Sequence, residues 1–288
     1  MQALSLACLS LVLFLSTSVA SPSLPSFSIT PSLYDALVLY TKYSSAAYQS
    51  SCPHPLGHML VKRIAEGDTH GFIARDDEHK EIVVSFRGTF SPGELCADAQ
   101  VRLVPFVSPN ISESCRVHQG SLKAYNDVAM DILATVRAQL QIFQRYRIVV
   151  TGHSLGGAIA SLAAPSLKTA HPDVDIRLFT FGQPRTGDKE YAAYMESLIG
   201  VDNIFRAVHT IDGVPTGVPR ELGYEHFATE YWQFQDPLPS EAPKDTVKKC
   251  IGGEDPTCSD SIPSTTANPA HTIYFGQLMT TNPLLCQR

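Results

Sequence analysis

The stretch Tyr146-Arg-Ile-Val-Val-Thr-Gly-His-Ser154-Leu-Gly-Gly-Ala-Ile-Ala160 constrains the fold more than any other part of the chain. Residues 148–151 are apolar and β-branched, as in a buried strand, and residues 158–164 are small, as in a closely packed helix. Between them lies Gly152-His153-Ser154-Leu155-Gly156, a G-x-S-x-G pattern. A serine on a tight strand-to-helix turn needs neighbours without Cβ two places to either side, or strand and helix cannot approach. The turn lifts Ser154 Oγ clear of the backbone and sets it at a helix N-terminus, where amide N–H groups favour developing negative charge. A glycine-rich turn without chemistry is the plain alternative. Strand, turn and helix all agree, so Ser154 is read as a nucleophile.

A hydroxyl needs a base to take its proton, and the base needs an acid to hold its tautomer. On such a turn the expected chain order is Ser, then Asp or Glu, then His. His171 falls in a polar loop, His209 lies inside a strand where packing explains it, and His226 reads as structural or as a pocket wall. His271 remains, opening His271-Thr-Ile-Tyr-Phe-Gly276 after a Pro-containing approach, and is taken as the base. Asp212 lies just past a strand and before Gly213-Val214-Pro215, a rigid turn suited to fixing a carboxylate at the nucleophile's sheet edge. Asp188 and Asp202 read as solvated helix-end residues. The oxyanion needs two donors. Leu155 N–H supplies one, and Thr89, ending the strand Ser85-Phe-Arg-Gly-Thr89, is expected to supply the other.

Elsewhere, Thr30-Pro31 caps a helix with its apolar stripe at Leu33, Leu37, Tyr40 and Ala47. Strands are expected over residues 59–65, 71–75, 81–86, 101–106, 176–181, 204–209 and 231–234. Helices are expected over residues 122–143 and 189–198, and residues 236–269 read as irregular. Hairpin-like strands followed by alternating strands and helices indicate α/β: one domain with a mixed sheet.

With 288 residues the chain suits one large domain or two small ones. Residues 1–20 read as a signal peptide: residues 3–20 carry no charge, and Ser18-Val19-Ala20 is a small-x-small cleavage pattern. The mature, secreted domain is then residues 21–288. A net charge of −6 without Lys/Arg runs argues against nucleic acid and anionic membrane surfaces as partners. Beyond Cys8 there are six cysteines (Cys52, Cys96, Cys115, Cys250, Cys258 and Cys286), which suggest three disulfides among fifteen possible pairings. None of their spacings resembles a zinc knuckle. Asn110-Ile-Ser112 is a glycosylation sequon.

Several segments together resemble the fungal class 3 lipases, the α/β-hydrolase family that also holds fungal feruloyl esterases. They are Ile82-Val-Val-Ser-Phe-Arg-Gly-Thr89, Val150-Thr-Gly-His-Ser-Leu-Gly-Gly157, Phe179-Thr-Phe-Gly-Gln-Pro-Arg185, His209-Thr-Ile-Asp-Gly-Val-Pro215, Leu222-Gly-Tyr-Glu-His226, Glu230-Tyr-Trp232 and Ala270-His-Thr-Ile-Tyr-Phe-Gly276. The resemblance implies an α/β-hydrolase fold with a mostly parallel mixed sheet, flanking helices and a short lid. It implies Ser154, Asp212 and His271 as the triad, Thr89 and Leu155 as the oxyanion hole, and no metal or organic cofactor. It also implies Cys52–Cys286 and Cys250–Cys258 bridges, leaving Cys96–Cys115 as a bridge to the lid segment.

The lid segment Phe90-Ser-Pro-Gly-Glu-Leu-Cys-Ala-Asp98 has Pro92-Gly93, which disfavours a long helix, and Leu95 near the position where related lipases carry a tryptophan. Val101 stands near the tyrosine that contacts the phenolic acid in related feruloyl esterases, and it has no hydroxyl. An apolar wall of Phe90, Leu95, Val101 and Val214 suits an acyl chain, since each buried methylene is worth about 0.8 kcal/mol. The expected activity is therefore hydrolysis of acylglycerols or other fatty-acyl esters by a monomer in transient contact with a lipid interface. Release of hydroxycinnamic acids from feruloylated polysaccharide is the alternative; an acyltransferase or a non-catalytic binding protein ranks lower.

Overall fold

Successive residues of the central strands enter two different cores, and this decides the architecture. The computed structural model describes residues 28–89, 101–109, 111–264 and 266–287. Helix α1 (Pro31–Ala46) starts as the sequence predicts, with Thr30 Oγ1 accepting from Leu33 N at 3.2 Å and proline in the first turn. Strands β1 (Met59–Glu66), β2 (Thr69–Asp76) and β3 (Glu81–Phe86) follow as an antiparallel meander. Next come β4 (Leu103–Ser108), β5 (Ile111–His118) and helix α2 (Gln119–Ile142).

The chain then alternates: β6 (Arg147–His153), α3 (Leu155–Ala170), β7 (Ile176–Phe181), α4 (Lys189–Ile199), β8 (Ile204–His209), the short helix α5 (Val214–Gly217) and β9 (Glu230–Gln233). Strand β10 (Val247–Lys249) and the small hairpin β11 (Ile273–Tyr274) and β12 (Gln277–Leu278) complete the described elements. The main sheet has eight strands in the order β1-β2-β3-β6-β7-β8-β9-β10, parallel from β3 to β9 and antiparallel at both edges. It is the mixed α/β sheet expected from the pattern.

Ile82, Val84, Ile148, Val150 and Leu178 point to the face covered by α2, α3 and α4. Val83, Val149 and Phe179 point to the other face, where α1 packs with Tyr40 and Tyr43. A sheet buried on both faces needs apolar residues at every position, so these strands read as continuous β-branched runs. Parallel register then brings the C-terminal ends of β6, β7 and β8 to one edge, the usual place for chemistry in such sheets.

Three expectations need correction. Strand β5, paired antiparallel with β4, was not foreseen. Among its described side chains Ile111, Cys115 and Val117 are buried, too short an alternation to announce a strand. The 236–269 segment is not wholly irregular, because β10 adds a strand there with Val247 in the core. Asp188 is buried, not solvated. It caps α4 by accepting from Tyr191 N at 2.9 Å, and it also accepts from Arg116 N at 3.0 Å. Asp202 is exposed as expected.

The Cys52–Cys286 and Cys250–Cys258 bridges are both present. Cys96, and with it the Cys96–Cys115 pairing, lies outside the described residues, as do the signal peptide, Phe90, Leu95 and Asn110. Cys52–Cys286 closes a separation of 234 residues, so it removes much chain entropy from the unfolded state. Replacing Cys286 with Ser is expected to lower stability by about 2–4 kcal/mol. Calorimetry should read this as a fall in Tm, and an unchanged Tm would remove the bridge from the account.

Candidate active site

Ser154 sits between β6 and α3 at φ 59° and ψ −127°, a backbone region that side chains rarely adopt. Close packing holds it there. A Cβ on Gly152 would lie 2.2 Å from Gly156 O, and one on Gly156 would lie 2.4 Å from Phe86 O. Both glycines of the motif are therefore needed for approach: strand to helix, and helix to the end of β3. Gly88, just past β3, abuts the nucleophile itself, since a Cβ there would come within 2.8 Å of Ser154 Cβ. Thr89 follows directly, and Leu155 opens α3. The two expected oxyanion donors thus flank the serine, one on each neighbouring segment.

His271 comes from a short turn spanning Pro269–Thr272, far along the chain, and closes the constellation. Its Nε2 lies 2.9 Å from Ser154 Oγ and its Nδ1 lies 2.8 Å from Asp212 Oδ2. Ser154 and His271 are fully buried and Asp212 nearly so. The carboxylate is well supplied with donors: Val214 N donates to Oδ1 at 2.9 Å, and Tyr274 O–H donates to Oδ2. Burial, then the Asp212 charge, pushes the Tyr274 phenol well above its usual range, so it remains a donor. Asn268 Nδ2 donates to Ile211 O at 2.6 Å, and His209 Nδ1 lies 3.0 Å from Ala270 O. These bonds tie the turn carrying the base to the turn carrying the acid.

A second layer holds the acid's turn. Buried Arg185 donates from Nη1 to Val218 O at 2.9 Å, and from Nε and Nη2 to both oxygens of Glu254 at 2.7 Å. Glu254 Oε1 also accepts His226 N at 2.8 Å, while His226 Nε2 bonds to Pro215 O at 2.9 Å. Burial alone would raise the Glu254 carboxyl. The paired bonds and charge of Arg185, with the His226 N–H, bring it down to about 2. Since Glu254 belongs to the loop closed by Cys250–Cys258, that bridge braces α5 and the residues next to Asp212.

Of the four residues expected to line an acyl groove, two are described. Val101 is half-buried, and Val214 is fully buried with its N–H committed to Asp212. A cavity of about 330 Å³ reaches Leu155 and is lined mainly by polar residues, among them Asp68, His118, Ser121 and Lys123. The sequence reading missed Tyr274, whose signal was its place three residues after the base. It also missed Gly182 at φ 58°, where a Cβ would lie 2.8 Å from Asp212 Oδ2 and 2.9 Å from His271 Cε1.

Residues 83–221 match the family model described as Lipase (class 3). A lipase of Rhizomucor miehei is 37% identical over 213 residues, which cover 73% of this chain and 56% of that relative. A secreted mono- and diacylglycerol lipase A of Penicillium cyclopium is 32% identical over 216 residues, covering 73% of this chain and 67% of its own length. The crystal structure of a lipase from Rhizopus microsporus var. chinensis superposes with a TM-score of 0.77 at 30% identity, covering 90% of this chain and 94% of that one.

The chain belongs to the class 3 lipase family.

Its fold is the α/β-hydrolase fold of that family. The alignments nevertheless span only 56% to 67% of these two curated relatives. Gly182, just past β7, leaves little room beside Asp212 and His271, which gives a sharp test. In this chain, Gly182→Ala should lower kcat by about 10-fold or more, since a misplacement of about 1 Å among reacting groups can slow a reaction by roughly 100-fold. Full kcat on a soluble p-nitrophenyl ester, with the variant folded, would show that the contact at Gly182 is not limiting.

Proposed function

We propose that this chain is a secreted serine carboxylic-ester hydrolase acting on acylglycerols or other fatty-acyl esters. The observation that carries the reading is the placement of His271, hydrogen-bonded to Asp212 through one ring nitrogen and to Ser154 Oγ through the other. The names of the relatives support the substrate class, and one of them is named as secreted. Among the described residues no helix is long and apolar enough to cross a membrane.

The roles follow from the bonding. Asp212 holds the His271 proton on Nδ1, so Nε2 is free to accept the Ser154 proton as Oγ attacks the ester carbonyl. The N–H groups of Leu155 and Thr89 stabilise the oxyanion, a contribution of roughly 3–4 kcal/mol per donor in comparable sites. The imidazolium is stabilised by Asp212 and then protonates the leaving alcohol. Water, activated by the same ring, releases the acid and regenerates Ser154. The buried donors Tyr274 O–H and Val214 N–H orient the Asp212 carboxylate.

Ser154 is buried, so its hydroxyl is held away from bulk water. Ser154→Ala should abolish turnover, with a loss of about 10⁶-fold for a nucleophile acting within a complete triad, while the fold survives. Rates on triolein emulsion, tributyrin, a monoacylglycerol and methyl ferulate then test the substrate class. Faster turnover of methyl ferulate than of every glyceride would overturn the acylglycerol reading in favour of a feruloyl esterase.

A further inference from the structure

The histidine inside the elbow, His153, takes no proton in the mechanism above, yet it is buried against the base. Its ring centroid lies 4.5 Å from that of His271, and its Nε2 is 2.7 Å from the backbone oxygen of His271. On its other side Nδ1 lies 2.7 Å from the hydroxyl of buried Tyr48, and Tyr48 Oη accepts the N–H of Gly88 at 3.0 Å. A carbonyl oxygen only accepts, so the His153 proton is on Nε2 and Nδ1 is the acceptor for the Tyr48 O–H. The phenol's oxygen then receives Gly88. Every proton in the chain Gly88–Tyr48–His153–His271 thus has one consistent direction.

From this geometry we propose that His153 is a positioning residue: an imidazole with its proton on Nε2 that, with Tyr48, ties the Gly88–Thr89 end of β3 to the backbone of His271. The inference rests on the triad reading above. The chain of bonds joins the two parts of the site that must keep register with Ser154, the oxyanion strand and His271, which come from distant parts of the sequence. Neutrality matters as much as the bonds. The reaction makes His271 an imidazolium, and a second positive ring beside it would oppose that step. Burial, then the His271 charge, holds His153 well below the usual imidazole range, and burial pushes the Tyr48 phenol up, so Tyr48 remains the donor. Protonating Nδ1 would also leave the Tyr48 hydroxyl proton without its acceptor.

Two measurements test this. In ¹⁵N-histidine NMR of the parent protein, the His153 ring, identified by its loss in His153→Gln, should remain a neutral Nε2–H tautomer from about pH 5 to 8. In kinetics on soluble p-nitrophenyl butyrate, Tyr48→Phe and His153→Phe should lower kcat by about 10- to 100-fold with KM within about threefold. His153→Gln, which keeps an N–H for the carbonyl, should recover part of that loss. Folded Tyr48→Phe and His153→Phe variants with kcat within about twofold of the parent would overturn the inference. So would a His153 ring, assigned with a folded His153→Gln variant, that titrates in that range or carries its proton on Nδ1. Ser154→Ala separates the two readings. If it is inactive while the Tyr48 and His153 variants are fully active, only this inference falls; if it retains turnover, the triad reading falls with it.

Discussion

Everything at this site depends on one backbone constraint: Ser154 held at positive φ where β6 meets α3. A non-glycine residue in such a conformation is destabilised by about 1–3 kcal/mol, so it persists only where the surroundings over-determine it. Here the surroundings are close backbone contacts. Gly152 packs on Gly156, Gly156 on the carbonyl of Phe86, and Gly88 on the serine's own Cβ. Ser154 N also donates to Phe181 O at 2.9 Å, which fixes the elbow to the neighbouring strand. The strain is borne by the sheet, and the result is a hydroxyl at the start of a helix.

Bringing an acid–base pair to that hydroxyl is a problem of burying polar groups. Asp212 and His271 are removed from water, and an unpaired buried carboxylate is strongly disfavoured. The fold answers with donors: His271 Nδ1–H, Val214 N–H and Tyr274 O–H all converge on the same carboxylate. The same solution recurs in the next layer, where Arg185 and Glu254 pair beneath α5. Deeper still, fully buried Arg206 in the middle of β8 lies 3.2 Å from Glu230. A run of paired polar groups therefore leads from the Cys250–Cys258 loop towards the site, with His226 Nδ1 left without a hydrogen-bond partner among the described residues.

What was legible in the chain follows from how local each signal is. The elbow, the capped first helix and the β-branched strands are short-range patterns, and β3, β7 and β8 have the boundaries read from the sequence. The convergence of Asp212 and His271 on Ser154 was legible because chain order on such an elbow leaves few candidates, and because Asp212 precedes a rigid turn. Long-range polar partners were not legible. Nothing near Arg206 in the sequence announces Glu230, and Asp188 looks like an ordinary solvated helix start until β5 packs over it. His153 was passed over for a similar reason: its partners, Tyr48 and the His271 carbonyl, are 105 and 118 residues away. Val214 was assigned to a groove on hydropathy alone; the structure shows its side chain buried and its N–H donating to Asp212, a bond the sequence did not announce.

The central claim is that one hydroxyl in the chain is activated, and that a single imidazole activates it. Covalent trapping with an alkylphosphonate ester, followed by peptide mass spectrometry, tests it most directly. The account predicts stoichiometric loss of activity with the adduct on Ser154 alone, and no adduct when His271 is replaced by Ala. An adduct on another residue that accompanies inactivation, or labelling of Ser154 undiminished without His271, would contradict it.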